Sequence, residues 1–277
     1  MLVTMKEILD RANAENYAVC APDVWSELDA RACIEAAEEV NAPIIIDASY
    51  RMNPDIEMFG RILTELAKKA KVPVAVHLDH GTEYEKKTQQ LLAIRAGFTS
   101  IMVDYSTLPF EENVENVAEM VRLAHLVGVT VESEIGHVSR GFEGKKEEGM
   151  TDPDDAAEFV KRTGVDALAI AIGTAHGAYK SKPQLDFARL HEIRTAIDTP
   201  LVLHGGSGLT DDDFRQVIAN GIAKVNIFTD LCLAGVKGME SALAEGKEYL
   251  EARNIKKDFI KAAVINKINL FGSAGKA

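Results

Sequence analysis

Hydrophobic residues along this chain follow two patterns that alternate from residue 17 onward. Short runs of aliphatic and β-branched residues recur, and longer stretches between them repeat apolar residues every three or four positions. The first pattern is typical of strands buried on both faces of a parallel sheet, and the second is typical of amphipathic helices. The apolar runs are YAVCAP, PIIIDAS, VPVAVHLDH, TSIMVDYS, VTVESEIG, ALAIAIG, PLVLHGG and AKVNIFT.

Roughly eight strand-and-helix units over about 250 residues predict an α/β fold, a (β/α)8 TIM barrel. An open, doubly wound sheet is the competing architecture. Acidic capping sequences at 152–155 and 210–213 predict helix starts, and Gly97, Gly128 and Gly164 fall where helices are expected to end. No linker rich in proline or serine divides the chain, so we expect one domain over residues 1–277.

Composition and charge exclude several classes of partner. The formal net charge of −12, without a basic block, disfavours nucleic acid. The N-terminal segment MLVTMKEILDRANAEN predicts an amphipathic helix rather than a signal peptide, and no apolar stretch reaches the ~18 residues of a membrane span. Cys20, Cys33 and Cys232 form no C-x-x-C pair. We therefore expect a cytoplasmic protein without a disulfide framework or a membrane partner.

Polar residues concentrate at the ends of the predicted strands, whereas the strands themselves consist of Val, Ile, Ala and Leu. In a barrel, the carboxyl ends of the strands meet at one face, where active sites lie. Polar residues at the ends of all the strands therefore predict a functional site. The residues at these ends are Asp23, Ser49, Asp79, His80, Asp104, Ser106, Glu132, Glu134, His176, 204–208, Asn226 and Thr229.

Three of the seven histidines, His80, His176 and His204, follow predicted strands. Three neutral imidazoles with an open fourth position suit a catalytic zinc or a similar divalent metal. A single histidine at a strand end is more often structural, but the set of three predicts a metal site. His125 and His191 lie in helix patterns, where we expect surface residues.

Asp79 lies beside His80, where a carboxylate can exchange a proton with a substrate oxygen bound to the metal. The alternative is that Asp79 only orients an imidazole. His77 lies two residues before Asp79 and thus on the same face of the strand, which fits a core or supporting residue as well as a functional one.

The segment LHGGSGLTDDDF indicates an anion site. Its glycines allow close approach of the backbone, Ser207 adds a hydroxyl, and a helix starts just beyond. Barrels often bind phosphate after strands seven and eight. Gly177 and Lys180 in the HGAYK segment are placed to close this site from the previous loop.

These motifs together resemble one known family over essentially the whole chain. The sequence is similar to the class II, metal-dependent fructose-bisphosphate and tagatose-bisphosphate aldolases. The segments that carry the resemblance are HLDHG, IRAGFTSIMVD, LPFEENV, VESEIG, TDPDDAAEFVKRTGVDALAIAIGTAHGAYK, LVLHGGSGL, KVNIFTD and LFGSAGKA.

The resemblance implies a role for each matching residue. It implies that His80, His176 and His204 bind a catalytic Zn²⁺ and that Asp79 is the acid/base acting on the C4 hydroxyl of the ketose. It further implies that Asn226 steadies the enediolate. Asp104 and Glu134 match carboxylates that engage the metal in an alternative position. The residues that match the phosphate site for dihydroxyacetone phosphate are Gly177, Lys180, Gly205, Ser207 and Thr229.

The chain departs from the family pattern at several positions. It has APD at 21–23 where relatives commonly have AFN, and the loop at 136–150 lacks the usual paired glycines. That loop normally provides the glutamate that takes the proton from dihydroxyacetone phosphate, and Glu143 is the candidate here. The residues that we expect near the aldehyde half of the substrate are Asp23, Ser49, Arg51, Tyr105 and Phe228.

The favoured function is a Zn²⁺-dependent aldolase that cleaves a phosphorylated ketose, with fructose 1,6-bisphosphate expected to be a poor substrate. We expect a homodimer or a homotetramer. One alternative is a metal-dependent barrel hydrolase, although the first strand lacks the H-x-H pair that it normally needs. The other is a non-catalytic aldolase homologue that binds phosphosugars.

Overall fold

The structure, a computed structural model, describes residues 1–83, 87–136, 149–175, 177 and 183–277. The strands are β1 Val19–Pro22, β2 Ile44–Ala48, β3 Val74–Gly81, β4 Ser100–Val103, β5 Thr130–Ile135, β6 Ala167–Ile170, β7 Leu201–Leu203 and β8 Ile222–Ile227. The helices are α1 Met5–Glu15, α2 Glu27–Glu39, α3 Ile56–Lys69, α4 Thr88–Ala96, α5 Phe110–His125, α6 Pro153–Thr163, α7 Phe187–Ala196, α8 Asp211–Ala219, α9 Thr229–Ala244 and α10 Tyr249–Phe271.

The strands form one parallel sheet in the order β1-β8-β7-β6-β5-β4-β3-β2. The two ends of this sheet meet where Asp23 bridges to Asp47 and the Val24 N–H donates to the Asp47 carbonyl at 2.9 Å. Strands that alternate with helices and return to their starting point form a barrel. The predicted (β/α)8 barrel is therefore confirmed, and the open doubly wound sheet is excluded.

Two apolar clusters surround the strands. The larger cluster lies between the sheet and the helices, where the outer face of the strands packs against the apolar faces of the surrounding helices. The smaller cluster joins residues inside the barrel, among them Ile45, Met102 and Val202, to the first helix. Burial on both faces explains why the strand sequences are continuous apolar runs.

Helix α1 packs into the smaller cluster. Met5, Ile8, Leu9 and Ala12 recur at helical spacing, and all four are buried. Thr4 caps the helix through a capping box with Glu7, which fixes its first turn. Because this helix packs onto the apolar lower half of the barrel, the polar residues inside lie toward the carboxyl ends of the strands.

Among the residues that the structure describes, none of the helices is both long and apolar enough to cross a bilayer. Three of the predicted site residues, Glu143, His176 and Lys180, lie outside the described residues. Their roles stay predictions.

Candidate active site

Strand β3 carries the first part of the site, and a bulge sets its geometry. Leu78 pairs with Ile101 and Gly81 pairs with Val103, so three steps along β3 face two steps along β4. His80 lies inside this bulge in the left-handed region, with φ of 48°. Successive side chains of a regular strand point to opposite faces, and a bulge re-aims one of them. The bulge therefore lets both Asp79 and His80 serve the same site.

The ring of His80 is fixed by acidic neighbours. Its Nδ1 lies 2.7 Å from Asp104 Oδ2, and its Nε2 lies 3.8 Å from Asp79 Oδ2. Ser106 donates to the other oxygen of Asp104 through its hydroxyl, at 2.7 Å. Burial lowers the pKa of His80, but Asp79 and Asp104 outweigh burial and raise it to about 10. Since Asp104 occupies Nδ1, Nε2 is the atom directed toward a metal.

His204 approaches from the end of β7. Its ring centre lies 4.8 Å from that of His80, at an interplanar angle of 64°. The His204 Nε2 lies 2.8 Å from Glu132 Oε1, a carboxylate of β5. The side chain of His204 is fully buried, so its orientation is set by this contact and by packing.

Two overlapping groups of side chains have the geometry of a metal site. One ligand atom each from Asp79, His80 and His204 lie within 4.8 Å of one another, and the same holds for His80, Asp104 and Glu134. Imidazole nitrogens and carboxylate oxygens suit Zn²⁺ and similar divalent cations. The described residues therefore fit a divalent metal, and the predicted third imidazole, His176, lies beyond them.

Asp79 is positioned by β8. The Asn226 side-chain N–H donates to Asp79 Oδ1 at 3.0 Å, and both residues are buried. Burial raises the pKa of Asp79, but the imidazoles of His80 and His204 outweigh burial and lower it. The carboxylate is therefore ionised and oriented, which suits it to accept a proton.

A second carboxyl, Asp23, lies at the end of β1 beside this pair. Its Oδ1 is buried and has no hydrogen-bond partner among the described residues. Burial, followed by the nearby charge of Asp79, raises the pKa of Asp23 well above its usual range. Buried polar atoms are usually hydrogen-bonded, so this oxygen is a candidate for contact with a bound molecule.

The predicted phosphate residues that the structure describes follow the neighbouring strands β6, β7 and β8. Ser207 is buried, and its Oγ accepts from the backbone N–H of Asp230 at 3.4 Å, at the start of α9. Thr229 is the first residue of that helix. Gly205 and Gly177 have φ of 68° and 94°, which glycine adopts without strain. The structure thus joins the turn after β7 to the N-terminus of α9, as an anion site requires.

The residues predicted to face the aldehyde half do not all lie together. Phe228 is exposed, and its ring meets Trp25 edge-on at 5.9 Å, just beyond Asp23. Ser49 is buried after β2, and Arg51 is exposed in the same loop, where it forms no ion pair with the part of the chain described here. Tyr105, in contrast, is buried in the core.

Tyr105 belongs to the apolar cluster between the sheet and the helices. Its hydroxyl accepts from the Gln90 side chain at 3.1 Å and donates to the Glu83 carbonyl at 3.4 Å. The structure therefore does not bring Tyr105 together with Asp23 and Phe228.

A buried ionic group below the site was not predicted from the sequence. Lys224 Nζ donates to Glu132 Oε2 at 2.8 Å and lies 3.5 Å from Asp47 Oδ2, and all three side chains are fully buried. Burial opposes ionisation of Glu132, but Lys224 and His204 keep its pKa well below the usual range. Burial lowers the pKa of His77 to about 3. The available signal was a lone charge within an apolar run, lysine in AKVNIFT and aspartate in PIIIDAS.

Comparison with known proteins gives a consistent result. A family model described as fructose-bisphosphate aldolase class II matches residues 3–276. A fructose-bisphosphate aldolase from Thermus caldophilus is 40% identical over 309 aligned residues, which cover all of both sequences. The crystal structure of the YdjI aldolase from Escherichia coli K12 has a TM-score of 0.89 at 38% identity and covers all of both chains.

A third relative extends the comparison beyond bacteria. The structure of a putative fructose-1,6-bisphosphate aldolase from Coccidioides immitis has a TM-score of 0.88 at 31% identity. It covers 98% of this chain and 97% of its own. The family model and the alignments with these relatives extend over nearly every residue. This chain therefore belongs to the class II fructose-bisphosphate aldolase family.

Proposed function

We propose that this protein cleaves a phosphorylated ketose to dihydroxyacetone phosphate and an aldehyde, and that its metal is Zn²⁺ bound by His80, His176 and His204. The observation that carries the proposal is the convergence of Asp79, His80 and His204 at the carboxyl ends of β3 and β7. A divalent cation held by these residues would stabilise the negative charge that develops on the substrate carbonyl oxygen. Such a mechanism needs no Schiff-base lysine.

Asp79 acts as the acid/base in this scheme. In the cleavage direction it takes the proton of the C4 hydroxyl, and in the condensation direction it returns that proton. Its lowered pKa and the hydrogen bond from Asn226 keep the carboxylate ionised and oriented. Asn226 steadies the reacting oxygens from the same position. Glu143 is the proposed base for the proton of dihydroxyacetone phosphate.

The turn after β7 and the N-terminus of α9 bind the phosphate of the dihydroxyacetone half. Backbone N–H groups at a helix N-terminus favour a negative charge, and glycine in the turn lets the backbone approach the phosphate oxygens. Gly205, Ser207 and Thr229 provide this side of the site, and Gly177 and Lys180 complete it from the loop after β6.

The metal assignment is tested by elemental analysis of purified protein together with a cleavage assay. We expect about one divalent metal per chain, and we expect His80→Ala, His176→Ala and His204→Ala each to lose metal and activity together. His191→Ala is the matched control, because His191 is exposed on α7 and contacts none of the site residues described above. Full metal content in the His176→Ala variant would contradict the ligand set.

The same two measurements separate the alternatives. A phosphosugar-binding homologue without activity would bind metal or ligand but release no dihydroxyacetone phosphate. A barrel hydrolase would turn over esters or amides instead. The geometry favours neither, because Asp79, ionised beside two imidazoles, is arranged for proton transfer and the turn after β7 for phosphate.

Substrate preference is proposed to differ from that of the glycolytic enzymes. Asp23 brings a buried carboxyl, and Phe228 with Trp25 brings aromatic bulk, to the end of β1 and β8. A large side chain or an added polar group in a pocket changes relative kcat/KM by about 1 to 3 kcal/mol. Arg51, without an ion-pair partner among the described residues, is available for an anionic group on the aldehyde half.

The measurement is kcat/KM for fructose 1,6-bisphosphate, tagatose 1,6-bisphosphate and monophosphorylated or acidic ketoses under one set of conditions. We expect fructose 1,6-bisphosphate to be a poor substrate. We also expect Asp23→Asn to change the ranking while metal content stays constant. Efficient cleavage of fructose 1,6-bisphosphate above all the others would overturn the proposed preference and leave the aldolase activity intact.

An oligomer is also proposed, either a homodimer or a homotetramer. A groove of about 830 Å³ between α2, α9 and α10 exposes Val236, Leu243 and Tyr249. Contiguous apolar surface of this kind commonly marks an interface. Light scattering on the eluted peak of a sizing column measures the mass directly, and a monomer at micromolar concentration would contradict the proposal.

A further inference from the structure

Glu132 lies at the centre of the barrel between two nitrogen donors. Its Oε1 is 2.8 Å from His204 Nε2, and its Oε2 is 2.8 Å from Lys224 Nζ. The three side chains come from β5, β7 and β8 and are fully buried. Burying an ammonium and a carboxylate is costly unless each is paired, and here Lys224 and Glu132 pair with each other.

The pairing determines which nitrogen of His204 carries the proton. Lys224 has only donors, so Oε2 of Glu132 is an acceptor, and the ionised Oε1 also accepts. His204 must therefore donate from Nε2. A neutral imidazole that donates from Nε2 keeps its lone pair on Nδ1, and a metal ligand needs such a lone pair.

The neighbouring imidazole, His77, is fixed from the opposite direction. Its Nδ1 lies 2.7 Å from Ser100 Oγ, and the Ser100 hydroxyl donates to Met5 Sδ at 3.4 Å. Ser100 thus holds the His77 ring at Nδ1 and leaves Nε2 facing Glu132. The Nε2 of His77 lies 3.6 Å from Glu132 Oε2 and has no hydrogen-bond partner among the described residues.

We propose that Lys224 and Glu132 are positioning residues for the metal: Glu132 holds His204 in the tautomer and orientation that presents Nδ1 to the ion, and Lys224 holds Glu132. This inference rests on the proposed function, in which His204 is a metal ligand. Both side chains are fully buried, and Glu132 links Lys224 to His204, so both act through His204.

The first test replaces the carboxylate by an amide of the same shape. Glu132→Gln offers one acceptor oxygen to two donors, so either His204 or Lys224 faces an N–H group. We expect Zn²⁺ affinity, measured by competition with a chelating dye, to fall by about 10- to 100-fold. The visible spectrum of the Co²⁺-loaded protein reports ligand geometry directly and should change as well.

The second test removes the extra hydrogen-bond donor that Glu132→Gln leaves without an acceptor. In the double variant Glu132→Gln/Lys224→Met, the amide oxygen accepts from His204, and the amide N–H no longer faces an ammonium. The charges of Glu132 and Lys224 are removed as a pair, and Asp47 is the carboxyl left beside the new methionine. We expect Zn²⁺ affinity to recover by about threefold or more over Glu132→Gln alone, a non-additive result.

Lys256→Met is the matched control. Lys256 donates to the buried Asp29 at 2.9 Å, between α10 and α2, so this variant also breaks a lysine–carboxylate pair outside the barrel. We expect it to lower thermal stability without changing the Zn²⁺ affinity or the Co²⁺ spectrum. A purely structural role for Lys224 and Glu132 would give the same outcome in their variants.

The outcomes separate the inference from the proposed function. If the wild-type protein binds neither Zn²⁺ nor Co²⁺, or if His204→Ala binds them fully, the metal assignment is wrong. If the wild type binds metal through His204 but Glu132→Gln binds it equally tightly with an unchanged spectrum, the positioning inference is wrong. Should the single variant fail to fold, a folded double variant that binds Zn²⁺ 100-fold more weakly than the wild type would overturn the inference too.

Discussion

The carboxylate of Asp79 is confined by its neighbours on three sides: Asn226 donates to one oxygen, and the imidazoles of His80 and His204 lie close by. An amide at this position keeps the shape, and its oxygen can still accept the hydrogen bond from Asn226, but it cannot accept a proton. We therefore expect Asp79→Asn to retain the metal and to lose cleavage by roughly 10²-fold or more.

Metal content and single-turnover cleavage of the same preparation check this prediction. A normal turnover number with bound metal would assign Asp79 to an orienting role. Loss of metal together with activity would instead make Asp79 a ligand, which its place in the group with His80 and His204 also allows.

The thiol of Cys20 predicts how stability depends on pH. Burial raises its pKa from 9.0 to about 12. The unfolded chain therefore ionises this thiol above pH 9 while the folded chain does not, so its contribution is complete below pH 9 and is lost between pH 9 and 12. We expect the free energy of unfolding to fall by up to about 1.4 kcal/mol per pH unit from this group.

Denaturant unfolding at pH 8 and at pH 10 measures the effect, with Cys20→Ala as the comparison. The alanine variant has no thiol at this position, so its free energy of unfolding should fall less over the same interval. Equal slopes for the two proteins would show that the Cys20 thiolate is accommodated in the fold.

At the scale of the elements, the turn between β7 and α8 depends on glycine. Gly205 has φ of 68°, and a Cβ on it would lie 2.5 Å from the Ala175 carbonyl oxygen. Gly205→Ala therefore combines backbone strain with a clash that moves the turn. We expect lower stability and a KM for the phosphorylated substrate that rises by about 10-fold or more, consistent with a displaced phosphate site.

Gly246→Ala provides the control for backbone strain alone. Gly246 also has φ of 68°, lies after α9, and has nothing within 4 Å of a built Cβ. This variant should lose stability without a change in KM. An unchanged KM in Gly205→Ala as well would show that the turn after β7 does not bind the phosphate.

The barrel as a whole is divided along its axis. Its lower interior is apolar and is covered by α1, and its upper interior contains the ionic group and the site. Leu9 is fully buried in the lower part. We expect Leu9→Ala to lower the free energy of unfolding by about 2 to 5 kcal/mol, because it leaves a cavity in a packed core.

The same variant should keep the Zn²⁺ affinity and kcat/KM of the wild type at 25 °C, because Leu9 packs in the apolar cluster at the base of the barrel. Chemical denaturation and steady-state kinetics measure the two properties separately. A parallel loss of metal affinity would show that the base of the barrel also positions the metal ligands.

The sequence by itself determined the alternation of strands and helices, several helix caps and the polar strand ends. These features are local: a hydrophobic period, a capping residue or a glycine acts within a few positions. The run VPVAVHLDHG identified β3, and the box around Thr210 and Asp213 identified the start of α8. Parallel strands end at one face of a barrel, so the polar residues at the strand ends also predicted which side chains form the site.

Only the tertiary structure decided how those residues meet. The bulge in β3 depends on its pairing with β4, so the strand's own period would have placed His80 on the wrong face. Tyr105 was predicted at the site but packs behind the sheet. The Lys224–Glu132 pair joins residues 92 positions apart. Such contacts depend on the closure of the whole barrel. A buried charge is tolerated only when it is paired, and folding brings the two partners together from distant strands.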